Sequence, residues 1–231
     1  MRNKYEEQLE RLNASIVQMG RAVEIAIEST MLTLMGRDAE AAKSVRLNDD
    51  AIDDMERDIE SQCMKILLQQ QPVAGDLRVI TAALKMITDM ERIGDHAVDI
   101  ADLVLQLPEQ SLNFEPGSDS DLGPELGPDF RCGKMAELDE MTGEAIRMLH
   151  GCIQAFTERN YDKAKNVIAA DDTVDALYHS IKKDLIEKIR RTDKGDQIMD
   201  YLLIAKYIER IGDHAVNIAR WVVFALTGKK E

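Results

Sequence analysis

An eight-residue segment, Glu-Arg-Ile-Gly-Asp-His-Ala-Val, occurs twice in the chain, at 91–98 and 209–216. In each copy an Asp follows the Glu by four residues, so on a helix the two carboxylates stack on one face. Like charges at this spacing destabilise an isolated helix, and we therefore expect a compensating group. A cation shared by several carboxylates would compensate, because hard cations such as Mg, Ca, Mn or iron prefer oxygen ligands.

Most of the remaining sequence has the composition and periodicity of helices. Apolar residues make up 45% of the 231 residues, whereas aromatic residues make up 4% and there are five prolines. This composition favours helices. Breaks in the periodicity define six predicted helices, at 6–36, 38–70, 76–107, 131–159, 161–191 and 196–227. The predicted fold is all-α, with two tandem three-helix bundles related by an internal repeat.

The predicted bundles occupy residues 1–107 and 131–231, and residues 108–130 form a predicted linker. Four prolines and three glycines fall within this linker, together with several acidic residues. Lys and Arg are absent from Leu107 until Arg131. Such a composition is typical of a connection between domains.

The repeat also relates the acidic segments 49–53 and 171–175. These segments are 122 residues apart, whereas the two octapeptides are 118 residues apart. The difference predicts a longer turn around 71–75 in the first half than around 192–194 in the second.

The carboxylates lie beside apolar lines that recur every seven residues. Glu91 shares a line with Leu84 and Val98, so it lies at or near the contact between helices. Equal counting from the turn of an antiparallel hairpin brings an Asp-x-x-x-Asp pair opposite each Glu-x-x-x-Asp pair. Asp99 extends the first group by another turn. The predicted metal ligands are Asp49, Asp53, Glu91, Asp95 and Asp99 in the first half, and Asp171, Asp175, Glu209 and Asp213 in the second.

The other octapeptide residues allow two interpretations each. The glycines provide room for close helix approach or for an ion, or else make ordinary packing contacts. The arginines orient or neutralise carboxylates, or lie on a solvated face. The histidines point away from the carboxylates, which favours a surface position or a supporting role over metal ligation. These residues are Gly94, Gly212, Arg92, Arg210, His96 and His214.

Two alternatives to a metal-binding regulator remain open. In the first, a purely structural adaptor, the carboxylates only form salt bridges with Lys65, Arg78, Lys85 and Lys206. In the second, the chain is a carboxylate-bridged metalloenzyme, such as a di-iron oxidase or a phosphoesterase. Di-iron bundles use Glu-x-x-His, three residues apart, whereas here each His follows the Glu by five. No HExxH, P-loop, nucleophile elbow or Ser-His-Asp pattern is present, so we predict a protein that is not an enzyme.

Charge and cysteine usage indicate the environment. A net charge of −14 without a basic stripe argues against direct binding to nucleic acid or anionic membranes, and favours cations and basic protein surfaces. The three cysteines lack CxxC spacing, which fits a reducing compartment. The N-terminal segment has no apolar signal core, and the apolar run 221–226 is too short to cross a bilayer. These features predict a soluble intracellular protein.

The repeated ERIGDHA segment and the two predicted three-helix bundles resemble the PhoU family of phosphate-specific transport accessory and regulatory proteins. The resemblance covers nearly the whole chain, although the linker is long and acidic for this family. It implies a cytoplasmic, non-enzymatic negative regulator of phosphate uptake and phosphate-starvation signalling. The implied partners are the ATPase of the phosphate ABC transporter and the phosphate-sensing histidine kinase.

The resemblance has further implications for assembly and ligands. It implies a homodimer that reaches the membrane only through protein partners. It also implies ions of iron, Mg, Mn or Zn, in some members as multinuclear clusters. By matching motif positions, the implied ligands are Asp49, Asp53, Glu91 and Asp95, and in the second half Asp171, Asp175, Glu209 and Asp213.

Overall fold

The computed structural model describes residues 2–36, 39–70, 72–107, 128–190 and 195–229. These residues form six helices and no strand, which confirms the all-α prediction. Helices α1 to α3 pack as one three-helix bundle, and α4 to α6 pack as a second. The helices are α1 (Arg2–Gly36), α2 (Ala39–Gln70), α3 (Ala74–Gln106), α4 (Pro128–Thr157), α5 (Tyr161–Ile189) and α6 (Gly195–Thr227).

The start of α4 differs from the prediction by almost one turn. The helix begins at Pro128 rather than at 131. Proline is tolerated in the first turn because the first N–H groups of a helix have no intrahelical acceptor. Residues 108–127 of the predicted linker lie outside the described residues.

The different repeat offsets coincide with a difference in helix length between the two hairpins, whereas the turn predicted around 192–194 lies outside the described residues. Asp53 lies 17 residues before the end of α2, whereas Asp175 lies 14 before the end of α5. Glu91 and Glu209 lie 17 and 14 residues after the starts of α3 and α6. Relative to the second hairpin, both helices of the first are extended by the same number of residues on the side of the turn. The acidic pairs of the two helices therefore still face each other.

The two bundles share one continuous apolar core. Helix α3 packs against α6, and α1 packs against α4. A Cβ atom at Gly20 would lie 2.0 Å from Cδ1 of Ile153, so α1 and α4 approach closely because residue 20 has no side chain. Helices α3 and α6, which carry the octapeptides, each contact both neighbours in their own bundle and each other. Among the described helices, none combines the length and apolar content that crossing a bilayer requires.

The burial of residues along α2 predicts that two substitutions in this helix lower the free energy of unfolding by different amounts. Ile52 is fully buried beneath Gly94, whereas Leu47 on the same helix is 70% exposed. We expect Ile52→Ala to lower the free energy of unfolding by about 3 kcal/mol, because it removes apolar contacts and leaves a cavity. Leu47→Ala should change it by less than about 0.5 kcal/mol. Urea unfolding of both variants checks this, and equal effects would contradict the packing described.

Candidate metal sites

The first group of carboxylates lies between α2 and α3. The Oδ1 atom of Asp49 lies 3.2 Å from the position that a Cβ atom would occupy at Gly94, in the middle of the octapeptide. Burial, followed by the negative charges of Asp95, Asp53 and Asp99, raises the pKa of Asp49, so these three carboxylates lie near it. Burial, followed by Asp95 and then Glu56 and Asp53, also raises the pKa of Glu91. The five predicted ligands of the first half are therefore brought together.

Glu56 also belongs to this group, although it was not among the predicted ligands. Its Oε1 atom accepts a hydrogen bond from Oγ1 of Thr88 at 3.1 Å, which places it between α2 and α3. Its charge contributes to the raised pKa of Glu91. The sequence contained a signal for this position, since Glu56 lies one turn beyond Asp53 on the same side of α2.

Burial is the largest cause of the raised pKa values of Asp49 and Glu91 in this group. Burial and the neighbouring carboxylates raise the pKa of Asp49 to about 6. Its Oδ1 atom is buried and has no hydrogen-bond partner among the described residues. A buried carboxylate oxygen without a partner is costly, and a bound cation would provide that partner. On this observation the donor set of the first group fits a cation.

The second group of carboxylates repeats the arrangement between α5 and α6. Burial, followed by the charges of Asp175 and Asp213, raises the pKa of Asp171 to about 6, and Arg220 opposes this rise. Burial and Glu209 raise the pKa of Asp213. The four predicted ligands of the second half are therefore neighbours.

The glycine of each octapeptide allows the two helices of a hairpin to approach closely. A Cβ atom at Gly94 would lie 3.3 Å from Cδ1 of Ile52, in addition to its contact with Asp49. A Cβ atom at Gly212 would lie 3.3 Å from Cγ1 of Val174 and 3.6 Å from Oδ1 of Asp171. A side chain at either position would press on the facing helix and on its carboxylate. The close-approach interpretation is the one that these distances favour.

Two cations partly neutralise the carboxylates. Arg92 donates from Nη1 to Oδ2 of Asp95 at 2.7 Å, and its Nε lies 3.4 Å from Oε2 of Glu91. Lys206 donates from Nζ to Oε2 of Glu209 at 2.5 Å. Of the four cations predicted for the salt-bridge alternative, Lys206 is the one that pairs with a predicted ligand within the described ranges.

The side chains do not already form a closed coordination sphere. Within the described residues, no three Asp, Glu, His or Cys side chains are placed to hold one ion between them. The ligand assignment therefore remains a prediction, and ion binding would require some of these side chains to rotate.

Of the two interpretations for the histidines, the surface position does not hold for His96, which is 7% exposed where α3 packs on α6. Its Nδ1 lies 3.5 Å from Oδ2 of Asp99, and its Nε2 accepts a hydrogen bond from Nε of Arg210 at 3.1 Å. Burial lowers the pKa of His96, and the nearby His214 and Arg210 lower it further. The side of α3 that carries His96 is thus covered by the other bundle, which the sequence of one helix does not indicate.

His214 occupies a similar position in the second octapeptide. Its Nδ1 lies 2.8 Å from Oδ1 of Asp89, across the contact between α3 and α6. The His96 ring lies 5.4 Å from the His214 ring and 5.5 Å from the Tyr207 ring, centroid to centroid. Sequence reasoning missed Asp89 and Tyr207, because no local pattern links them to the octapeptide of the other half.

Six helices in two similar bundles, each with an acidic helix pair, define a duplicated helical-bundle protein. Residues 16–104 and 138–222 each match the PhoU domain, so the internal repeat consists of two copies of that domain. The chain is 35% identical over 232 residues to the phosphate-specific transport system accessory protein PhoU homolog of Clostridium acetobutylicum, covering 99% of this chain and 97% of the relative. It belongs to the PhoU family.

Further relatives and solved structures agree with this assignment. The Burkholderia PhoU homolog is 31% identical over 227 residues, covering 98% of this chain and 90% of the relative. The crystal structure of PhoU from Pseudomonas aeruginosa matches with a TM-score of 0.83 at 29% identity, covering 97% of this chain and 100% of that one. PhoU from Streptococcus pneumoniae matches with a TM-score of 0.83 at 26% identity, covering 98% and 99%. The predicted pair of three-helix bundles related by an internal repeat is thereby confirmed.

The raised pKa of Asp49 predicts that its charge destabilises the metal-free fold. The folded-state pKa of about 6 exceeds the ordinary value of 3.8, so the cost is full above pH 6 and disappears as the pH falls below about 4. We expect Asp49→Asn to raise the free energy of unfolding by about 1 kcal/mol at pH 7.5, after allowance for partial solvent screening. Urea unfolding in chelator should show a smaller gain at pH 4.5. Asp58→Asn, at an exposed position of the same helix whose charge is not among the causes of the shift, serves as the control. An equal gain at both pH values would contradict the assignment.

Proposed function

We propose that this protein is an accessory protein of a phosphate transport system that negatively regulates phosphate uptake and phosphate-starvation signalling. The observation that carries the proposal is the match of both halves to the PhoU domain, together with full-length similarity to relatives named as phosphate-specific transport system accessory proteins. The regulation acts through binding to other proteins and not through catalysis.

The proposed partners are cytoplasmic components of phosphate transport and signalling. They are the ATPase of the phosphate ABC transporter and the phosphate-sensing histidine kinase. The protein works in the cytoplasm as a homodimer and reaches the membrane only through these partners. A net charge of −14 supports contact with basic protein surfaces over contact with nucleic acid or anionic lipid.

Carboxylate-bound cations complete the proposed regulator. The donor set of each half contains only oxygen ligands, which suits Mg, Mn or iron and is compatible with Zn. The buried and unpartnered Oδ1 atom of Asp49 supports a cation in the first half. A cation there supplies positive charge between α2 and α3, where the carboxylates otherwise repel each other. The proposed ligands are Asp49, Asp53, Glu91, Asp95 and Asp99, and in the second half Asp171, Asp175, Glu209 and Asp213.

The cation sites predict a loss of metal uptake when the octapeptide glutamates are removed. We expect the double variant Glu91→Ala with Glu209→Ala to retain little Mn or iron after dialysis, because each site loses a partly buried ligand. Inductively coupled plasma mass spectrometry measures the bound metal. The matched control is Glu60→Ala with Glu140→Ala, two exposed glutamates outside the predicted ligand set. Unchanged metal content in the first variant would refute the ligand assignment.

Negative regulation predicts a phenotype for deletion of the gene. Without the protein, we expect cells in phosphate-rich medium to express alkaline phosphatase at a high level, because starvation signalling is no longer repressed. Enzyme activity in whole cells measures this, and restoration of the gene should return it to the repressed level. Continued repression in the deletion strain would rule out the regulatory function for this protein.

A further inference from the structure

A cavity of about 480 Å³ lies where α6 packs beside the first group of carboxylates. Six of its lining residues belong to α2 and α3, and one, Arg210, comes from α6 in the other half of the chain. The lining residues are Asp49, Arg92, Asp95, His96, Val98, Asp99 and Arg210. The first group of carboxylates is thus completed by a residue of the second repeat.

Arg210 differs from Arg92, the other arginine of the cavity, because it has no carboxylate partner in the described part of the chain. Its Nε donates to Nε2 of His96 at 3.1 Å, and among the described residues no Asp or Glu forms an ion pair with it. Nε2 of His96 accepts this hydrogen bond, and its Nδ1 lies 3.5 Å from Oδ2 of Asp99. Arg210 therefore has no ion-pair partner among the described residues, and its guanidinium group lines the cavity.

Arg92 brings a second guanidinium group to the same cavity. Its present partners are Asp95 and Glu91, both predicted cation ligands. A cation that binds these carboxylates would release the donors of Arg92. Guanidinium groups present paired N–H donors that match the oxygens of a phosphate.

The charges around the cavity decide when an anion is accepted. The carboxylates of Asp49, Asp95 and Asp99 outnumber the two guanidinium groups, so the cation-free cavity repels anions. A divalent or ferric ion adds two or three positive charges and so weakens this repulsion. We propose that the cavity binds inorganic phosphate between Arg92 and Arg210 once a cation occupies the first group of carboxylates. This inference rests on the proposed cation site.

The second half does not repeat this arrangement. The position equivalent to His96 is His214, but its Nδ1 pairs with Asp89. The position equivalent to Asp89 is Tyr207, which stacks beside His96 instead. In addition, Arg92, the equivalent of Arg210, is paired with carboxylates of its own octapeptide. Each chain therefore binds one phosphate, in the first half.

Neighbouring sites for a cation and an anion are thermodynamically linked. The cation strengthens phosphate binding, and phosphate must strengthen cation binding by the same factor. Because Arg210 belongs to α6 and Arg92 to α3, bound phosphate also joins the two halves of the chain. A rise in phosphate concentration would therefore increase the metal occupancy and make the contact between α3 and α6 more rigid.

The test uses the full chain, loaded with Mn or stripped with chelator, in equilibrium dialysis against radiolabelled inorganic phosphate. We expect one phosphate per chain with Mn and none without it. Arg210→Gln should weaken phosphate binding by at least about tenfold, because it removes charged hydrogen bonds, while Mn uptake stays unchanged. Arg46→Gln, which alters an exposed arginine paired with Asp102, should leave both ligands bound as in the wild type.

Each alternative outcome has a distinct meaning. Mn uptake without phosphate binding, or wild-type phosphate binding by Arg210→Gln, would overturn the phosphate site and leave the cation site standing. Absence of Mn uptake by the wild type would overturn the cation site and this inference with it. Equal affinity for O-phosphoserine would overturn the assignment to free phosphate. If Arg210→Gln does not fold, Arg210→Lys keeps the charge but not the paired donors, and unweakened phosphate binding by that variant would overturn the inference.

Discussion

Repulsion among partly buried carboxylates is the constraint on which the arrangement of this protein depends. In each half, two adjacent helices bring acidic side chains against each other at the border of the apolar core, where water screens them poorly. The apolar lines beneath them, and a glycine that allows close approach, hold the helices together against this repulsion. The buried Oδ1 atom of Asp49 shows that the protein alone does not satisfy every acceptor.

The octapeptide serves two contacts at once because it lies on a central helix. Its Glu and Asp face the neighbouring helix of the same bundle, and its His faces the other bundle. His96 accepts a hydrogen bond from Arg210, while His214 pairs with Asp89, so the two copies meet across α3 and α6. Asp95, a predicted ligand, is adjacent in sequence to His96, which lies at the contact between the two halves. An ion bound at the proposed cation site would therefore lie close to the packing contact between the bundles.

Hairpin counting placed the carboxylates correctly because every step in it is local. Helix rise is constant, and the two helices of a short-looped hairpin advance equally, so Asp53 had to lie near Glu91. The same reasoning attributed the different repeat offsets to the turns alone, whereas both helices of the first hairpin are extended equally, which leaves the facing residues unchanged. It also missed the start of α4, because a proline in a first turn and a proline in a linker look alike in sequence.

Periodicity and spacing within one hairpin are local, so they were enough to predict the six helices, the duplication and the two groups of facing carboxylates. The contacts on the other side of the octapeptides became visible only in the folded chain. The burial of His96, its bond to Arg210 and the cavity between the halves arise from the packing of α3 on α6. These helices are separated by more than a hundred residues, and no local pattern specifies which of their faces meet. The repeat made the two octapeptides identical, whereas Asp89 and Tyr207 made their surroundings different.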